Sequence, residues 1–226
     1  MNRHWFTADT HFSHRNIIPY CNRIDFLSKE EKKWYEKGMP MRNRDNPDGW
    51  RPSDETVANM DTTIINLINK HVEEKDTLWH LGDFCFPSSR KKAQEFRNKI
   101  KCKTVNFIWG NHDQKTIQSA FNNNYERYRL KYEDHQIILS HYAQAVWQNS
   151  HHGAWMLYGH SHSTAEEWLD RVMPGRKSID VGIDNAKIVL GEYRPFSFEE
   201  LKNIFKQREG CSIDHHVNSK KGQDNG

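Results

Sequence analysis

No run of apolar residues in this 226-residue chain approaches the ~20 needed to cross a bilayer, and the N-terminal stretch MNRHWFTAD has no apolar segment of signal-peptide length. A membrane role is not expected, and a cytoplasmic setting is. Cysteine is scarce. Cys21, Cys85, Cys102 and Cys211 are scattered with no C-x-x-C pair, which argues against a disulfide scaffold or a zinc finger and for reduced thiols. Neither sign of charge dominates: a formal net charge of +3 is too mild to indicate nucleic-acid binding by itself. No repeat of fixed period is present. With 35% hydrophobic and 28% charged residues the composition is polar but globular, and the length suits one domain with a sizeable core.

What the chain has in quantity is histidine, 14 in all, several at the ends of apolar runs. Those runs read as short strands rich in branched and aromatic residues: HWFTA (4–8), TLWHL (77–81), TVNFIW (104–109), HQIILS (135–140), WMLYG (155–159) and SIDVGI (178–183). Between the first two lies a helical pattern, with Val57, Met60, Ile64, Leu67 and Ile68 on one stripe and Ser53 or Asp54 as its N-cap. A second helix is predicted from about Ser89 to Ile100, with a basic outer face, and a third over FSFEELKNIFKQR. Strands alternating with helices, then strands closer together, predict a mixed sheet system with helices outside. Segment 28–53 breaks the rhythm: it is polar, rich in turn signals and long for a connection. The last stretch, 209–226, is nearly devoid of apolar residues and is expected to be a flexible tail.

Each strand-like run is followed at once by an acid, an amide or an imidazole. The first delivers Asp9 and His11, the second Asp83, the third Asn111, His112 and Asp113, the fourth His141, and the fifth His160 and His162. In α/β sheets, sites form where strands end at their carboxyl termini and loops converge. Asp9, His11, Asp83, Asn111, His141, His160 and His162 can all coordinate a metal. Such a mixed set suits Mn, Fe, Zn, Co or Ni rather than Ca or an all-sulfur site. These donors are too many for one tetrahedral zinc; they suit two ions if one carboxylate bridges. His112 is then a candidate general acid with Asp113 as its orienting partner.

The ordered motifs DTH, GDF, GNHD, SHY and GHSH, spanning residues 9 to 162, resemble those of the calcineurin-like metallophosphoesterase superfamily, and the HFSHRNII opening is similar to that of its small bacterial and phage-type members. The resemblance implies an α/β fold of two sheets in a sandwich flanked by helices (an αββα arrangement), here one domain over 1–208. It implies a dinuclear centre at one end, with Asp9, His11 and His162 on one divalent ion, Asn111, His141 and His160 on the other, and Asp83 bridging. Hydroxide supplied by the metal pair would attack phosphorus, and His112, favoured as the imidazolium by Asp113, would protonate the leaving group. Manganese is the expected metal, and a phosphodiester, small or nucleotide-like, the expected substrate. Phosphoprotein phosphatases of the superfamily carry an Asp-Arg-Gly stretch after Gly-Asp; here the chain reads GDFCFPSS, which counts against such substrates.

Taken singly, each of these residues could equally cap a helix or hold a loop. His80 reads as a hydrogen-bonded core histidine, His135 as a strand or turn residue, and His151 and His152 as loop. His14 is open between a helix-start residue and a substrate-side group. Segment 28–53, with Trp34, Tyr35, Arg42, Arg44, Trp50 and Arg51, is either a lip over the site or a surface loop whose aromatics pack on the neighbouring helix. The basic face of the second helix gives weak support to a nuclease. A non-catalytic module on the same fold is the remaining alternative, and the complete ligand set argues against it.

Overall fold

A computed structural model describes residues 2–86 and 89–210. Of the expected tail, residues 211–226 lie outside the described residues. The strands are β1 (His4–Thr7), β2 (Thr77–His80), β3 (Thr104–Ile108), β4 (Asn123–Tyr125), β5 (Arg127–Tyr132), β6 (His135–Ser140), β7 (Trp155–Tyr158), β8 (Ser178–Asp180) and β9 (Phe196–Ser197). The helices are α1 (Ile17–Tyr20), α2 (Lys29–Glu36), α3 (Asp54–His71), α4 (Arg90–Lys99), α5 (Lys115–Gln118), α6 (Glu166–Val172), α7 (Ile183–Leu190) and α8 (Phe198–Lys206).

The first sheet runs β4-β3-β2-β1-β9, parallel except for β9; the second runs β5-β6-β7-β8, parallel except for β5. The layering follows from side-chain alternation along each strand. On β1 and β2, Trp5 and Leu78 face a helical layer with Met60, Ile64 and Ile68 of α3 and Phe96 of α4. Their neighbours Phe6 and Trp79 face the second sheet and meet Ile137, Leu139, Leu157 and Ile179. On the outer face of that sheet, Met156 and Tyr158 pack with Leu169 of α6 and with Met173. The result is helix, sheet, sheet, helix. Because the strands of both sheets are buried on two faces, they read as apolar runs rather than as polar–apolar alternation. No helix among the described residues is long and apolar enough to cross a membrane.

The main predicted strands and helices are present, with one boundary corrected. The run 178–183 is a strand only to Asp180; Gly182 caps α7, which begins at Ile183. Strands β4, β5 and β9 and helices α1, α2, α5, α6 and α7 were not expected from the sequence. Strand β5 is a sheet edge whose Arg127, Arg129 and Lys131 point outward, a charged pattern that blocks edge-to-edge pairing and hides the strand from a hydrophobicity reading.

Segment 28–53 is structured. Ser28 and Glu31 form a reciprocal capping box at the start of α2. The Glu31 carboxylate also accepts from Ser53 N (2.6 Å) and Thr56 Oγ1 (2.6 Å), tying α2 to the start of α3. Trp50 is buried, and Trp34 and Tyr35 pack against the same helical-side core. The aromatics are thus used for packing, which favours the packed-loop reading over a lip.

Burial would raise the Glu31 pKa, but the hydrogen bonds from Thr56, Ser28 and Ser53 outweigh it and hold it below the ordinary glutamate value. The contribution of this carboxylate to stability is complete above the unfolded value of about 4.3 and is lost as pH falls through the lower folded value. Glu31→Gln is therefore expected to destabilise the protein by about 1–3 kcal/mol at pH 7 in urea titration, with a smaller difference near pH 3.

Candidate metal centre

The carboxyl ends of β1, β2, β3, β6, β7 and β8 lie at one end of the sandwich, and the two sheets meet there through a parallel bridge between Ala8 and Gly182. The loops after the strands are laced together by main-chain hydrogen bonds. Asp9 N donates to Gly82 O (2.9 Å), His11 N to Asp83 O (3.0 Å) and Gly159 N to His141 O (3.0 Å). The lacing forces unusual backbone: Asp9, His11, Asp83, His160 and His162 all have positive φ, between 46° and 68°. For residues with a Cβ, left-handed conformation costs roughly 1–2 kcal/mol each, and its clustering in one corner marks a functional site. Glycine is needed where backbone passes closest. A Cβ on Gly159 would lie 2.6 Å from both Ala8 Cβ and Asp9 Oδ2.

The structure brings all the sequence-predicted ligands together, in two groups. Ligand atoms of Asp9, His11 and His162 lie within 4.8 Å of one another, as do those of Asp83, His141 and His160. Asn111 Oδ1 joins the second group, 3.0 Å from both His141 Nε2 and His160 Nδ1. Asp83 Oδ2 stands between the groups, 3.5 Å from His11 Nε2 and 3.5 Å from His141 Nε2.

The chemistry of these atoms fits divalent cations. Asp9 Oδ1 and His11 Nε2 are buried without a hydrogen-bond partner, which is costly unless a cation satisfies them. Burial, reinforced by Arg23, keeps His11 well below the usual imidazole pKa, so it is neutral and carries a lone pair. Burial, then repulsion from Asp180, Asp83 and Asp184, pushes Asp9 well above the carboxylate range; a nearby cation would reverse this. His141 Nδ1 lies 2.8 Å from Leu81 O and must donate to it, which directs Nε2 toward Asn111 Oδ1 and Asp83 Oδ2. Three lone-pair atoms this close require a proton or a metal ion among them.

A further set of charges, not anticipated from the sequence, holds these ligands. Arg23 is fully buried. Its guanidinium grips Asp184 at 2.7 and 2.8 Å and donates to Asp9 O (2.7 Å) and Thr10 O (3.1 Å). Asp184 in turn accepts from His162 Nδ1 at 2.7 Å, fixing the tautomer that leaves Nε2 as the ligand atom. One arginine thus positions both the Asp9 loop and His162. Asp180 is also buried and accepts from Ser161 Oγ (2.6 Å), Ser163 N (3.0 Å) and Gly182 N (2.7 Å), which fixes the loop carrying His160 and His162. Asp180 ends β8 and Asp184 follows it in SIDVGID, a strand-then-acid signal masked by extending that strand to 183.

The expected pairing of Asp113 with His112 needs revision. The Asp113 carboxylate is buried and accepts from three main-chain N–H groups: Asp83 (2.6 Å), Phe84 (3.1 Å) and Gly110 (2.7 Å). It joins the second and third loops and acts as scaffold. His112 is exposed at the mouth, its main-chain N–H donating to Asp83 Oδ1 (3.0 Å) and its ring 5.5 Å from that of His11. His14, left open by sequence, also belongs to the mouth. It is hydrogen-bonded to His11 through the Nδ1 atoms (3.2 Å) and stacked on Phe86, with its ring 6.4 Å from His112. His80 is a core histidine bonded to Thr10 Oγ1, as expected, and His135 begins β6.

Asp184→Asn is expected to weaken binding at the Asp9–His11–His162 group by about 10–100-fold in a calorimetric Mn²⁺ titration, as loss of an outer-shell partner does elsewhere. Asp83→Asn should weaken both groups. Equal titrations for Asp184→Asn and the wild type would reduce the Arg23–Asp184–His162 chain to a packing role.

Comparison with known proteins bears on the family and the fold. Residues 60–182, more than half the chain, match the calcineurin-like phosphoesterase superfamily domain. An uncharacterized protein of Methanocaldococcus jannaschii is 27% identical over 209 residues, covering 92% of this chain and 93% of that one. The crystal structure of a protein of unknown function from Aquifex aeolicus, AQ665, superposes with a TM-score of 0.59 at 19% identity, over 90% of this chain and all of that one, which speaks to the fold alone. With the matched region carrying Asp83, Asn111, His141, His160 and His162 of the two-group site, the chain belongs to the calcineurin-like phosphoesterase superfamily, whose members in general hydrolyse phosphoesters with divalent metal ions.

Proposed function

We propose that this protein is a phosphodiesterase acting on a small, nucleotide-sized ester through a dinuclear centre, with Mn²⁺ or a similar ion as its metal. The observation that carries this reading is Asp83 Oδ2, equidistant at 3.5 Å from an imidazole of each ligand group. Asp9, His11 and His162 would hold one ion and Asn111, His141 and His160 the other, with Asp83 shared. Bound there, the ions would neutralise the phosphoryl oxygens and supply hydroxide near neutral pH. Neutral imidazoles, carboxylates and an amide make a donor set suited to first-row transition metals.

The protein's own groups do the rest. Asp83 keeps the two ligand groups in register, with its carboxylate held well below the usual range: burial opposes this, and His141 and His11 outweigh it. His112, at the mouth and outside both ligand groups, is placed to give a proton to the departing oxygen. Arg23, the guanidinium beneath the centre, is committed to Asp184 and to two carbonyls and is not offered to phosphate. A site lacking that extra cation is better matched to a singly charged diester than to a doubly charged monoester.

With Mn²⁺ the protein is expected to hydrolyse bis(p-nitrophenyl) phosphate in preference to p-nitrophenyl phosphate and to lose both activities with a chelator; a preference for the monoester would overturn the assignment. His112→Ala should keep its metal content while losing roughly 10²–10⁴ in rate on esters with poor leaving groups, and less on p-nitrophenyl esters. Equal losses across leaving groups of different pKa would give His112 another role.

A further inference from the structure

Beside the metal centre the surface opens into a groove of about 830 Å³, within the ~300–1,000 Å³ typical of small-molecule sites. His160 and His162 form part of its lining, so it is continuous with both ligand groups. Part of the remaining wall comes from elements that supply no ligand. Tyr20 ends α1 and Asn22 follows it; Lys187 and Ile188 lie on α7; Ile24 and Tyr193 add apolar surface, and Cys21, Asp25, Ser161, Ser163, Thr164 and Asp184 line the rest. Tyr20 is 66% exposed and Ile188 70% exposed. Single exposed apolar residues are ordinary. Two of them lining one groove that ends on candidate metal ligands form a surface suited to an apolar group.

The groove is not a second phosphate site. Its lysine is already paired, with Lys187 Nζ 2.8 Å from Asp25 Oδ2 and 5.3 Å from the Tyr193 ring centre. Asn22 adds a neutral hydrogen-bonding group. The side of the centre also matters. His112 is not part of the groove lining and lies with His11 and His14. In an in-line displacement the leaving group departs opposite the attacking oxygen. If that group leaves toward His112, the ester arm that stays on phosphorus is the one that reaches His160, His162 and the groove.

We propose that the groove bounded by Tyr20 and Ile188 binds the retained ester arm, and that this arm carries a planar aromatic group up to the size of a nucleobase with its sugar. The inference rests on the phosphodiesterase reading. It gives that reading a substrate class: aryl-like or nucleoside-like diesters, cleaved to a monoester whose organic part lies in the groove.

The test keeps the leaving group constant and changes only the retained arm. Bis(p-nitrophenyl) phosphate and methyl p-nitrophenyl phosphate both expel p-nitrophenolate and retain an aryl or a methyl arm. The ratio of their kcat/KM values is compared between the Mn²⁺-loaded wild type and Tyr20→Ala, Ile188→Ala and the double variant, so that the esters' intrinsic reactivities cancel. Both side chains are exposed, so their removal leaves the core intact. The aryl-to-methyl ratio is expected to fall about 10-fold in the double variant, the scale of one lost aromatic stacking contact. Calorimetry reads the same surface without turnover: phenyl phosphate should bind the wild type about 10-fold more tightly than methyl phosphate, an advantage lost in the double variant. An unchanged ratio in the variants, or equal binding of the two monoesters by the wild type, would overturn the groove assignment. If the wild type cleaves neither diester, the phosphodiesterase reading fails, and the calorimetric pair still decides the groove.

Discussion

Asp9, Asp83, Asp180 and Asp184 are almost completely withdrawn from water at one end of the sandwich. Buried like charges repel and each alone is expensive, so the partners each carboxylate has been given decide how this corner is tolerated. Asp184 has Arg23 and His162, and their attraction outweighs burial and holds its pKa below the usual range. Asp180 has two N–H groups and a hydroxyl. Asp83 has His141 and the His112 N–H. Asp9 has one N–H on Oδ2 and nothing on buried Oδ1. The least satisfied carboxylate is therefore Asp9, in the candidate group with His11 and His162, where a divalent ion would supply the missing partner.

The same corner carries the backbone strain. Left-handed conformations at Asp9, His11, Asp83, His160 and His162 are tolerated because adjoining loops determine each other through main-chain hydrogen bonds and through the Asp113 carboxylate. Two apolar layers stand behind them, one between sheet and helices around Phe107 and one between the sheets around Leu139 and Leu157. This division of labour is common where rigid strands support functional loops: burial in the body of the fold offsets unfavourable geometry at its end.

The surroundings divide the centre into two sides. Toward His112 and His14 the mouth offers imidazoles and Phe86; toward α1 and α7 it offers a groove with Tyr20 and Ile188 exposed in its wall. The superfamily match spans Asp83, Asn111, His141, His160 and His162 of the candidate ligand set. It does not by itself explain Tyr20 and Ile188, which line the groove from elements outside the ligand motifs.

Much of the site was legible in the sequence because ligands must sit directly after strands. Asp9, His11, Asp83, Asn111, His141, His160 and His162 each follow an apolar run within a few residues, and the local pattern marks both the strand and the end where the loop begins. The body of the fold was legible for the same reason, since buried strands and the stripe of α3 advertise their apolar faces. Strand β5 was not, because an edge is stabilised by pairing with β6 and its outward residues are free to be charged. Nor could sequence join Arg23 to Asp184 across 161 positions, or turn Asp113 from His112 toward main-chain N–H groups. The sequence by itself determined which chemical groups stand at the strand ends. Only the tertiary structure decided which of them come together in one group, which serve as braces, and which apolar side chains remain uncovered beside them, because those outcomes depend on distances between segments that no local pattern encodes.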